Sequence, residues 1–259
     1  MTDPDLNALL AEITRLALLA GDEIMTFYKG DMDIREKADA SPVTAADEAA
    51  EAAILPGLRA ATPDIPVVAE EEMSAGKQVE VSDAPFWLVD PLDGTKEFIA
   101  HRDEFTVNIA LIIDRRAALG VVHAPALDVT YAAAGPGTAT IRRGGGPVTP
   151  IATRAAPPAG MTVIGSRSHA NNEKTNEFLQ PFTVANYVTA GSSIKFCLVA
   201  EGKADLYPRF GPTREWDTAA GHAVLSGAGG AVLTPDGAPF LYAKPHFLNG
   251  EFIAWGRVA

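Results

Sequence analysis

The stretch Trp87-Leu88-Val89-Asp90-Pro91-Leu92-Asp93-Gly94-Thr95-Lys96-Glu97-Phe98 decides the fold, because an apolar run stops there at a pair of carboxylates. The run from Phe86 to Val89 is typical of a short buried strand, and the Asp-Pro pair ends it. Gly94 allows a tight turn, so Asp90 and Asp93 can converge at the carboxyl end of the strand. That end is where α/β sheets bind ligands.

The pair of carboxylates suits a hard cation. Magnesium takes oxygen ligands from one or two carboxylates and leaves positions open for water and phosphate. Thr95 adds a hydroxyl directly after the turn. An isolated Asp-x-x-Asp pair is usually a solvated turn, but the full string with its preceding strand is far more specific. The sequence therefore predicts a magnesium site at this strand end.

The composition is that of an ordinary globular protein. The chain has 259 residues, of which 47% are hydrophobic, so it can form one large domain or two lobes with a sizeable core. Its net charge of −12 argues against binding nucleic-acid polymers through a basic face. An anionic substrate would need metal ions or a local basic pocket. The only cysteine, Cys197, excludes an internal disulfide.

The sequence shows no signal for membrane insertion or export. No apolar run approaches the roughly 18 residues of a membrane-spanning helix, so no transmembrane segment is expected. The amino terminus carries Asp3 and Asp5 where a signal peptide has basic residues. We expect a cytoplasmic location, with peripheral association at the inner membrane left open, and no obligate protein partner.

The segment Thr44-Ala45-Ala46-Asp47 has the pattern of a capping box. It predicts a helix from Ala45 towards Ala61, with Asp47 as a helix-start residue. Pro56-Gly57 falls inside this helical pattern and should kink or end it.

A second predicted strand also ends in carboxylates. Pro66 to Ala69 is a short apolar run followed by Glu70, Glu71 and Glu72. Such acidic runs are usually solvated, but this one repeats the arrangement at Asp90. A functional role and a surface role are therefore both open for Glu70.

The Ala/Pro-rich segment at 155–159 is the best candidate for a boundary between lobes. We place an N-terminal lobe with the metal-binding motif at 1–154 and an α/β lobe that completes the site at 155–259. In the second lobe strands and helices alternate, and polar groups lie next to strands or at helix starts. Such groups can bind phosphate, but caps and solvated charges are equally open. They are Ser166-Arg167-Ser168-His169, Gly191-Ser192-Ser193 with Lys195, Tyr207-Pro208-Arg209, and Asp217.

With these segments assembled, the chain resembles the lithium-sensitive, magnesium-dependent phosphatase superfamily that includes inositol monophosphatase. The resemblance runs through nearly the whole chain. Its general motif is met by Asp90, Asp93, Gly94 and Thr95, and Lys96-Glu97-Phe98 favours the branch of 3′(2′),5′-bisphosphate nucleotidases. The fold implied is an α+β N-terminal lobe and an α/β C-terminal lobe in a layered αβαβα sandwich.

The resemblance also implies a role for each site residue. Two or three Mg²⁺ ions would be held by Glu70, Asp90, the Leu92 carbonyl, Asp93 and Asp217. Asp47 and Thr95, together with Glu70, would be catalytic, so the resemblance replaces the capping role of Asp47 by a catalytic one. Substrate contacts would come from Glu70, Leu92, Asp93, Gly94, Thr95, His169, Ser192, Lys195, Arg209 and Asp217.

The implied activity is hydrolysis of a small nucleotide bisphosphate, adenosine 3′,5′-bisphosphate, to AMP and phosphate. Two alternatives stay open. The same chemistry could act on inositol monophosphate or fructose 1,6-bisphosphate, or the chain could be a nucleotide sensor that binds without turnover. The intact set of carboxylates and Thr95 speaks against the sensor.

Overall fold

The computed structural model describes residues 5–30, 34–36, 42–167 and 173–257. The α-helices in these ranges are α1 Leu6–Tyr28, α2 Ala45–Ala61, α3 Glu70–Ser74, α4 Thr95–Ile99, α5 Glu173–Leu179, α6 Ile194–Ala200 and α7 Trp216–Gly227. A 3₁₀ turn spans Pro245–Phe247. The strands are β1 Ile34–Glu36, β2 Pro42–Thr44, β3 Val67–Ala69, β4 Phe86–Asp93, β5 Thr106–Ile113, β6 Arg116–Ala124, β7 Val129–Ala134, β8 Thr140–Arg143, β9 Thr149–Pro150, β10 Met161–Ser166, β11 Val184–Ala190, β12 Leu206–Arg209, β13 Ala231–Leu233 and β14 Phe252–Trp255.

Two large sheets organise the described residues. The first has seven strands in the order β3-β4-β5-β6-β7-β8-β9, and the second has five in the order β11-β10-β12-β14-β13. In the first sheet only the β3–β4 pair is parallel. The second pairs β10 in parallel with β11 and β12, whereas β14 is antiparallel to its neighbours. These mixed sheets, with helices between them, confirm the predicted layered α/β class.

Residue alternation along β4 separates two hydrophobic cores. Trp87 and Val89 belong to the hydrophobic core that includes side chains of α1 and α2. Phe86 and Leu88 belong to the other core, which includes side chains of α6 and α7. Because both faces of β4 are covered, its sequence is a continuous apolar run rather than an alternating one.

The second sheet is also covered on both faces. Tyr207 and Phe252 pack against the α6 and α7 layer, and Val163 and Leu206 pack on the other side against α5. The order of layers is therefore helix, sheet, helix, sheet, helix. α6 and α7 lie between the two sheets, so a side chain at the start of α7 can reach residues at the edge of the first sheet.

Pro56-Gly57 does not end α2, so that part of the prediction is wrong, whereas the kink stays a prediction. The helix continues to Ala61, and its packing against α1 explains why. A Cβ on Gly57 would lie 2.5 Å from Leu16 Cδ2, so glycine permits close approach of the two helices. Proline inside a helix costs about 3 kcal/mol, and burying one large apolar side chain such as Ile54 contributes about 1.5–3 kcal/mol. Burial of the helix face therefore offsets the local penalty.

The two large sheets fall on either side of the predicted lobe boundary. The first sheet lies within 67–150 and the second within 161–255, while one hydrophobic core contains residues from both. The boundary at 154/155 stays a prediction. Among the helices of the described ranges, none combines the length and apolar character needed to cross a membrane.

Candidate active site

Strand register brings Glu70 beside Asp90. β3 and β4 are parallel with Ala69 opposite Val89, so the residues that follow leave the same edge of the sheet. Asp217 reaches this edge from the first turn of α7. Carboxylate oxygens of Glu70, Asp90 and Asp217 lie within 4.8 Å of one another. Three carboxylates that are far apart in sequence therefore form one cluster.

A bulge in β4 turns the chain between Asp90 and Asp93. Pairing with β5 passes from Asp90–Asn108 to Asp93–Thr106, so β4 has one residue more than its partner across this step. The Leu92 N–H donates to Asp90 Oδ1 at 3.1 Å, which fixes the side chain in the bend. The bulge places both carboxylates at the end of the strand.

Gly94 closes the turn in a conformation that side chains disfavour. Its φ of 94° is left-handed, and an added Cβ would lie 3.2 Å from the Glu104 carbonyl oxygen. α4 starts immediately afterwards at Thr95. Glycine is therefore required here both for backbone geometry and for close approach.

Burial and mutual repulsion raise the pKa values of Asp93 and Asp217. The pKa of Asp93 rises to about 6, chiefly through burial and also through the charge of Glu70, against the opposing effect of Lys195. Burial, followed by the charges of Asp93 and Glu70, raises the pKa of Asp217 well above its usual range. A cation would relieve both effects.

The donor set fits Mg²⁺. Glu70, Asp90, Asp93 and Asp217 supply carboxylate oxygens, and all four line a cavity of about 550 Å³ together with Leu92, Gly94 and Thr95. Hard oxygen donors around an open cavity are what Mg²⁺ requires, because it keeps positions for water and phosphate.

Asp47 contacts Thr95 and also caps α2. One carboxylate oxygen, Oδ1, accepts a hydrogen bond from Thr95 Oγ1 at 3.2 Å. The other, Oδ2, accepts from the backbone N–H and the hydroxyl of Thr44, each at 2.7 Å. The capping box predicted from the sequence is therefore present, and it holds Asp47 in the orientation that faces Thr95.

A smaller cavity of about 260 Å³ adjoins the carboxylate cluster. It shares Asp93, Gly94 and Asp217 with the larger cavity and is also lined by Ser192, Lys195 and Arg209. The Lys195 ammonium is buried and donates to the Ala190 and Ser192 carbonyls. The cavity therefore places cationic groups beside the acidic cluster.

Burial and two charged neighbours determine the pKa of Lys195. Burial lowers the pKa of Lys195 to about 8, while Asp93 raises it and Arg209 lowers it further. The Arg209 guanidinium is held by the Pro212 carbonyl at 3.0 Å. Both cations are therefore fixed in place by protein carbonyls at the cavity wall.

The structure brings most of the predicted site residues to these two adjoining cavities. The exceptions are Asp47, which contacts Thr95 but does not line either cavity, and His169, which lies outside the described residues. Predicted substrate contacts at Ser192, Lys195 and Arg209 lie in the smaller cavity. Their roles stay predictions.

A supporting network at Ser193 was missed by the sequence analysis. The Ser193 N–H lowers the pKa of Asp93, and the Ser193 hydroxyl donates to Asn108 Oδ1 at 2.6 Å. The same hydroxyl lies 3.0 Å from Thr106 Oγ1. Among the described residues, Asn108 Nδ2 is the buried side-chain polar atom that has no hydrogen-bond partner. Polar residues at alternate positions of an apolar strand were the available signal.

Glu51 was also missed. It is buried in α2, and its carboxylate accepts from the N–H groups of Glu71 and Glu72 at 2.8 and 2.9 Å. Burial raises the pKa of Glu51 to about 7, against the lowering effect of these two bonds. Glu51 therefore fixes the start of α3, where Glu70 enters the carboxylate cluster.

A layered αβαβα fold with a carboxylate cluster between its sheets defines a class of metal-dependent phosphatases. The chain belongs to the inositol monophosphatase family, because the sequence model of that family matches residues 5–256. Members of this family are metal-dependent phosphatases, usually with Mg²⁺.

Within this family, the chain is similar over nearly its whole length to proteins named 3′(2′),5′-bisphosphate nucleotidase CysQ. The chain is 50% identical to the 3′(2′),5′-bisphosphate nucleotidase CysQ of Escherichia coli (strain K12) over 247 residues, which is 94% of this chain and 98% of that protein. It is 41% identical to CysQ of Buchnera aphidicola, covering 95% of this chain and 93% of that protein.

Solved structures show the same likeness. The crystal structure of CysQ from Bacteroides thetaiotaomicron matches with a TM-score of 0.82 and 34% identity, covering 97% of this chain and 98% of that one. An inositol monophosphatase from Anabaena (Nostoc) matches with a TM-score of 0.76 and 27% identity, covering 98% and 92% of the two chains.

Proposed function

We propose that this chain is a Mg²⁺-dependent 3′(2′),5′-bisphosphate nucleotidase that hydrolyses adenosine 3′,5′-bisphosphate to AMP and phosphate. The observation that carries the proposal is the acidic cluster of Glu70, Asp90 and Asp217 beside a cavity that contains Lys195 and Arg209. The first feature suits a metal-assisted phosphomonoesterase, and the second suits a substrate with another phosphate. Relatives at about 50% identity with this activity support the assignment.

Glu70, Asp90, Asp93, Asp217 and the Leu92 carbonyl would hold two or three Mg²⁺ ions. When bound, the metal lowers the pKa of water and offsets negative charge on the phosphate. Without it, the cluster repels a phosphate and the substrate binds poorly.

The Asp47–Thr95 pair would manage the proton of the attacking water. Thr95 Oγ1 donates to Asp47 Oδ1, so the Thr95 oxygen can accept a proton from water as its own proton moves to Asp47. The new phosphorus–oxygen bond forms as the bond to the 3′ oxygen breaks, and that oxygen leaves with the bonding electron pair and is protonated by solvent. No covalent enzyme intermediate is needed.

Ser192, Lys195 and Arg209 would bind the nucleotide and its remaining phosphate, with His169 as a further predicted contact. The Gly94 and Thr95 backbone would hold the phosphate that is cleaved. Arg209 is suited to this role because its guanidinium is always charged and can bond to two phosphate oxygens. A small-molecule substrate and a cytoplasmic location are part of the same proposal.

A phosphate-release assay tests the function. We expect rapid, Mg²⁺-dependent release from adenosine 3′,5′-bisphosphate, slower release from inositol monophosphate and fructose 1,6-bisphosphate, and loss of activity with EDTA. Efficient hydrolysis of a sugar phosphate alone would move the chain to the alternative substrate class. Nucleotide binding without release of phosphate would identify a sensor.

Replacement of Asp90 tests the metal assignment. D90N removes a carboxylate charge from the cluster at nearly constant shape, so we expect turnover to fall roughly 10²–10³-fold, as for other preorganised electrostatic contacts. The matched control is D64N, which makes the same change at an exposed position before β3. Near-normal Mg²⁺-dependent turnover in D90N would refute the assignment.

A further inference from the structure

Glu104 is a charged residue that the proposed chemistry leaves without a role. It lies in the connection between α4 and β5, and its side chain is 27% exposed. Its Oε2 atom accepts a hydrogen bond from the Gly191 N–H at 2.8 Å and forms an ion pair with Arg167 Nη1 at 2.7 Å. Gly191 directly follows β11, and Arg167 directly follows β10. One carboxylate therefore ties two strand ends of the second sheet to the first sheet.

The backbone of Glu104 lies equally close to the site. A Cβ on Gly191 would lie 2.6 Å from the Glu104 carbonyl oxygen and 2.6 Å from Glu97 Cγ. The same carbonyl oxygen lies against Gly94, where a Cβ would come within 3.2 Å. Glu104 therefore separates the turn after Asp93 from the loop at Gly191, with glycine on both sides.

The loop held by Glu104 carries the proposed phosphate contacts. Ser192 has a left-handed φ of 42°, which is uncommon for a residue other than glycine and requires the surrounding structure to maintain it. Lys195 folds back onto the loop by donating to the Ala190 and Ser192 carbonyls. The Ser193 N–H lowers the pKa of Asp93. A shift at Gly191 would therefore move Ser192 and Lys195 relative to the metal-binding turn.

Glu104 is ionised where it makes these contacts. Burial raises its pKa, but the hydrogen bonds from Arg167 and the Gly191 N–H outweigh this effect and hold the pKa below its usual value. Hydrogen bonds to an ionised acceptor are about twice as strong as neutral ones. The contact with Gly191 is therefore strong enough to set a loop position.

We infer that Glu104 is a positioning residue for the second phosphate of the substrate: by anchoring Gly191 and Arg167 it fixes Ser192 and Lys195 at the distance from Asp93 that a bisphosphate requires. This inference rests on the proposed function. Glu104 itself does not touch the substrate, and a negative side chain so close to Lys195 would not bind a phosphate. Its effect should therefore appear in substrate affinity more than in turnover.

The test compares E104A, E104Q and E104D with wild type, using adenosine 3′,5′-bisphosphate at saturating Mg²⁺. Loss of a hydrogen bond to a charged group is worth about a tenfold change in an equilibrium constant. We expect E104A to raise KM about tenfold with kcat within about threefold of wild type. E104D keeps the charge on a shorter stem and should recover part of the affinity.

Product binding provides a second measurement by calorimetry. We expect E104Q, which keeps an oxygen acceptor for Gly191 but loses the charge, to weaken 5′-AMP binding while adenosine binding stays at the wild-type value. A merely structural role would weaken both ligands together. E104Q also serves as the folded variant if E104A fails to fold.

The matched control is D205N. Asp205 makes the same kind of contact away from both cavities, because its carboxylate pairs with Arg154 Nε at 2.8 Å and accepts from the Thr162 N–H at 2.7 Å. We expect D205N to lower the melting temperature and leave KM unchanged.

The outcomes separate the two proposals. If wild type releases no phosphate from the bisphosphate, the proposed function fails. If wild type is active and folded Glu104 variants have wild-type KM, or lose 5′-AMP and adenosine affinity equally, only the positioning role of Glu104 fails.

Discussion

The Thr95 hydroxyl faces two hydrogen-bond acceptors, which fixes the direction of its proton. Its Oγ1 atom lies 3.2 Å from Asp47 Oδ1 and 3.3 Å from the Leu92 carbonyl oxygen. Both neighbours are acceptors, so the hydroxyl proton is directed towards protein and an oxygen lone pair is left for the cavity. This geometry suits a group that receives a proton from water and passes its own to Asp47.

Removal of the Thr95 hydroxyl should therefore slow turnover. We expect T95A to lower kcat roughly 10²-fold, within the range for lost general-base catalysis, with little change in substrate KM. T95S restores the hydroxyl without the methyl group and should recover most of the rate. Steady-state phosphate release measures both variants, and equal rates for T95A and T95S would contradict the proton-transfer role.

At the scale of residues, the sequence predicted side chains that lie within one local motif. Asp90, Asp93 and Thr95 follow from a strand, a turn and a glycine in one short stretch. The local pattern predicted Asp47 only as a cap, because its contact with Thr95 depends on how α2 packs, and its catalytic role was implied by the family resemblance alone. Ser193 and Glu104 make contacts between segments far apart in the chain. Alternate polar residues in β5 were a signal for the Ser193 network, whereas no local pattern predicts the contacts of Glu104.

α7 carries Asp217 to the site, and its position depends on close packing against β6. A Cβ on Gly120 of β6 would lie 2.9 Å from Ala220 Cα and 3.0 Å from the Ala220 carbonyl oxygen. On the other side of α7, a Cβ on Gly221 would lie 2.6 Å from Phe196 of α6. Small residues thus bring the helix backbone directly onto the first sheet.

An added methyl group at Gly120 should move α7. We expect G120A to lower the free energy of unfolding by about 1–3 kcal/mol, the usual penalty for overpacking. The displaced Asp217 should also raise the Mg²⁺ concentration needed for half-maximal activity. Urea unfolding and a Mg²⁺ titration measure the two effects. The control is G145A, at a glycine with no heavy atom within 4 Å of the added Cβ, and an equal loss of stability there would contradict the packing argument.

At the scale of elements, buried runs were easier to predict than their environment. The strand at β4 follows from its apolar run. The helical pattern predicted α2 towards Ala61, but how the helix tolerates Pro56 could not be predicted, because the compensating contact of Gly57 with Leu16 belongs to another helix. The antiparallel placement of β14 between β12 and β13 likewise depends on tertiary pairing.

The first sheet and the helix layer between the two sheets both contribute to the carboxylate cluster, so metal binding should stabilise the whole molecule. Glu70 and Asp90 lie at the edge of the first sheet, whereas Asp217 comes from the helix layer between the sheets. A ligand that binds only the folded state adds about 2.7 kcal/mol at a concentration 100 times its dissociation constant. The crowded carboxylates, by contrast, destabilise the metal-free protein.

This contrast predicts that the order of melting temperatures of D217N and wild type reverses when Mg²⁺ is added. In EDTA we expect D217N to melt at a higher temperature than wild type, because a half-buried, repelled carboxyl is replaced by a neutral amide of similar shape. In excess Mg²⁺ wild type should gain several degrees and become the more stable protein. Thermal unfolding under both conditions measures the effect, with D64N as the control. A D217N protein that gains as much from Mg²⁺ as wild type would contradict metal ligation by Asp217.

His222 predicts how stability depends on pH. Its Nδ1 atom lies 2.9 Å from the Tyr242 hydroxyl. Burial lowers the pKa of His222 to about 3, with further lowering from Lys244 and Arg116. His222 is therefore protonated below about pH 6.5 in the unfolded chain but stays neutral in the folded protein until the pH approaches 3. Stability from this residue is complete above pH 6.5 and is lost as the pH falls towards 3.

H222Q should remove this part of the acid sensitivity. Between pH 6 and pH 4 we expect wild type to lose about 1.4 kcal/mol per pH unit more than H222Q, the value for one proton. Urea unfolding at several pH values measures the difference. H101Q, at an exposed histidine, should follow wild type. Parallel pH profiles for wild type and H222Q would contradict the prediction.

The double contact of Asp47 has a consequence for heat resistance. The same carboxylate closes the first turn of α2 and accepts a hydrogen bond from the Thr95 hydroxyl, so fraying of that single turn would disable the proposed proton acceptor. Helix ends open at lower temperatures than sheets that are covered on both faces. Warming should therefore produce a chain that is still folded but inactive, and recovery on cooling should be as fast as one helical turn can re-form.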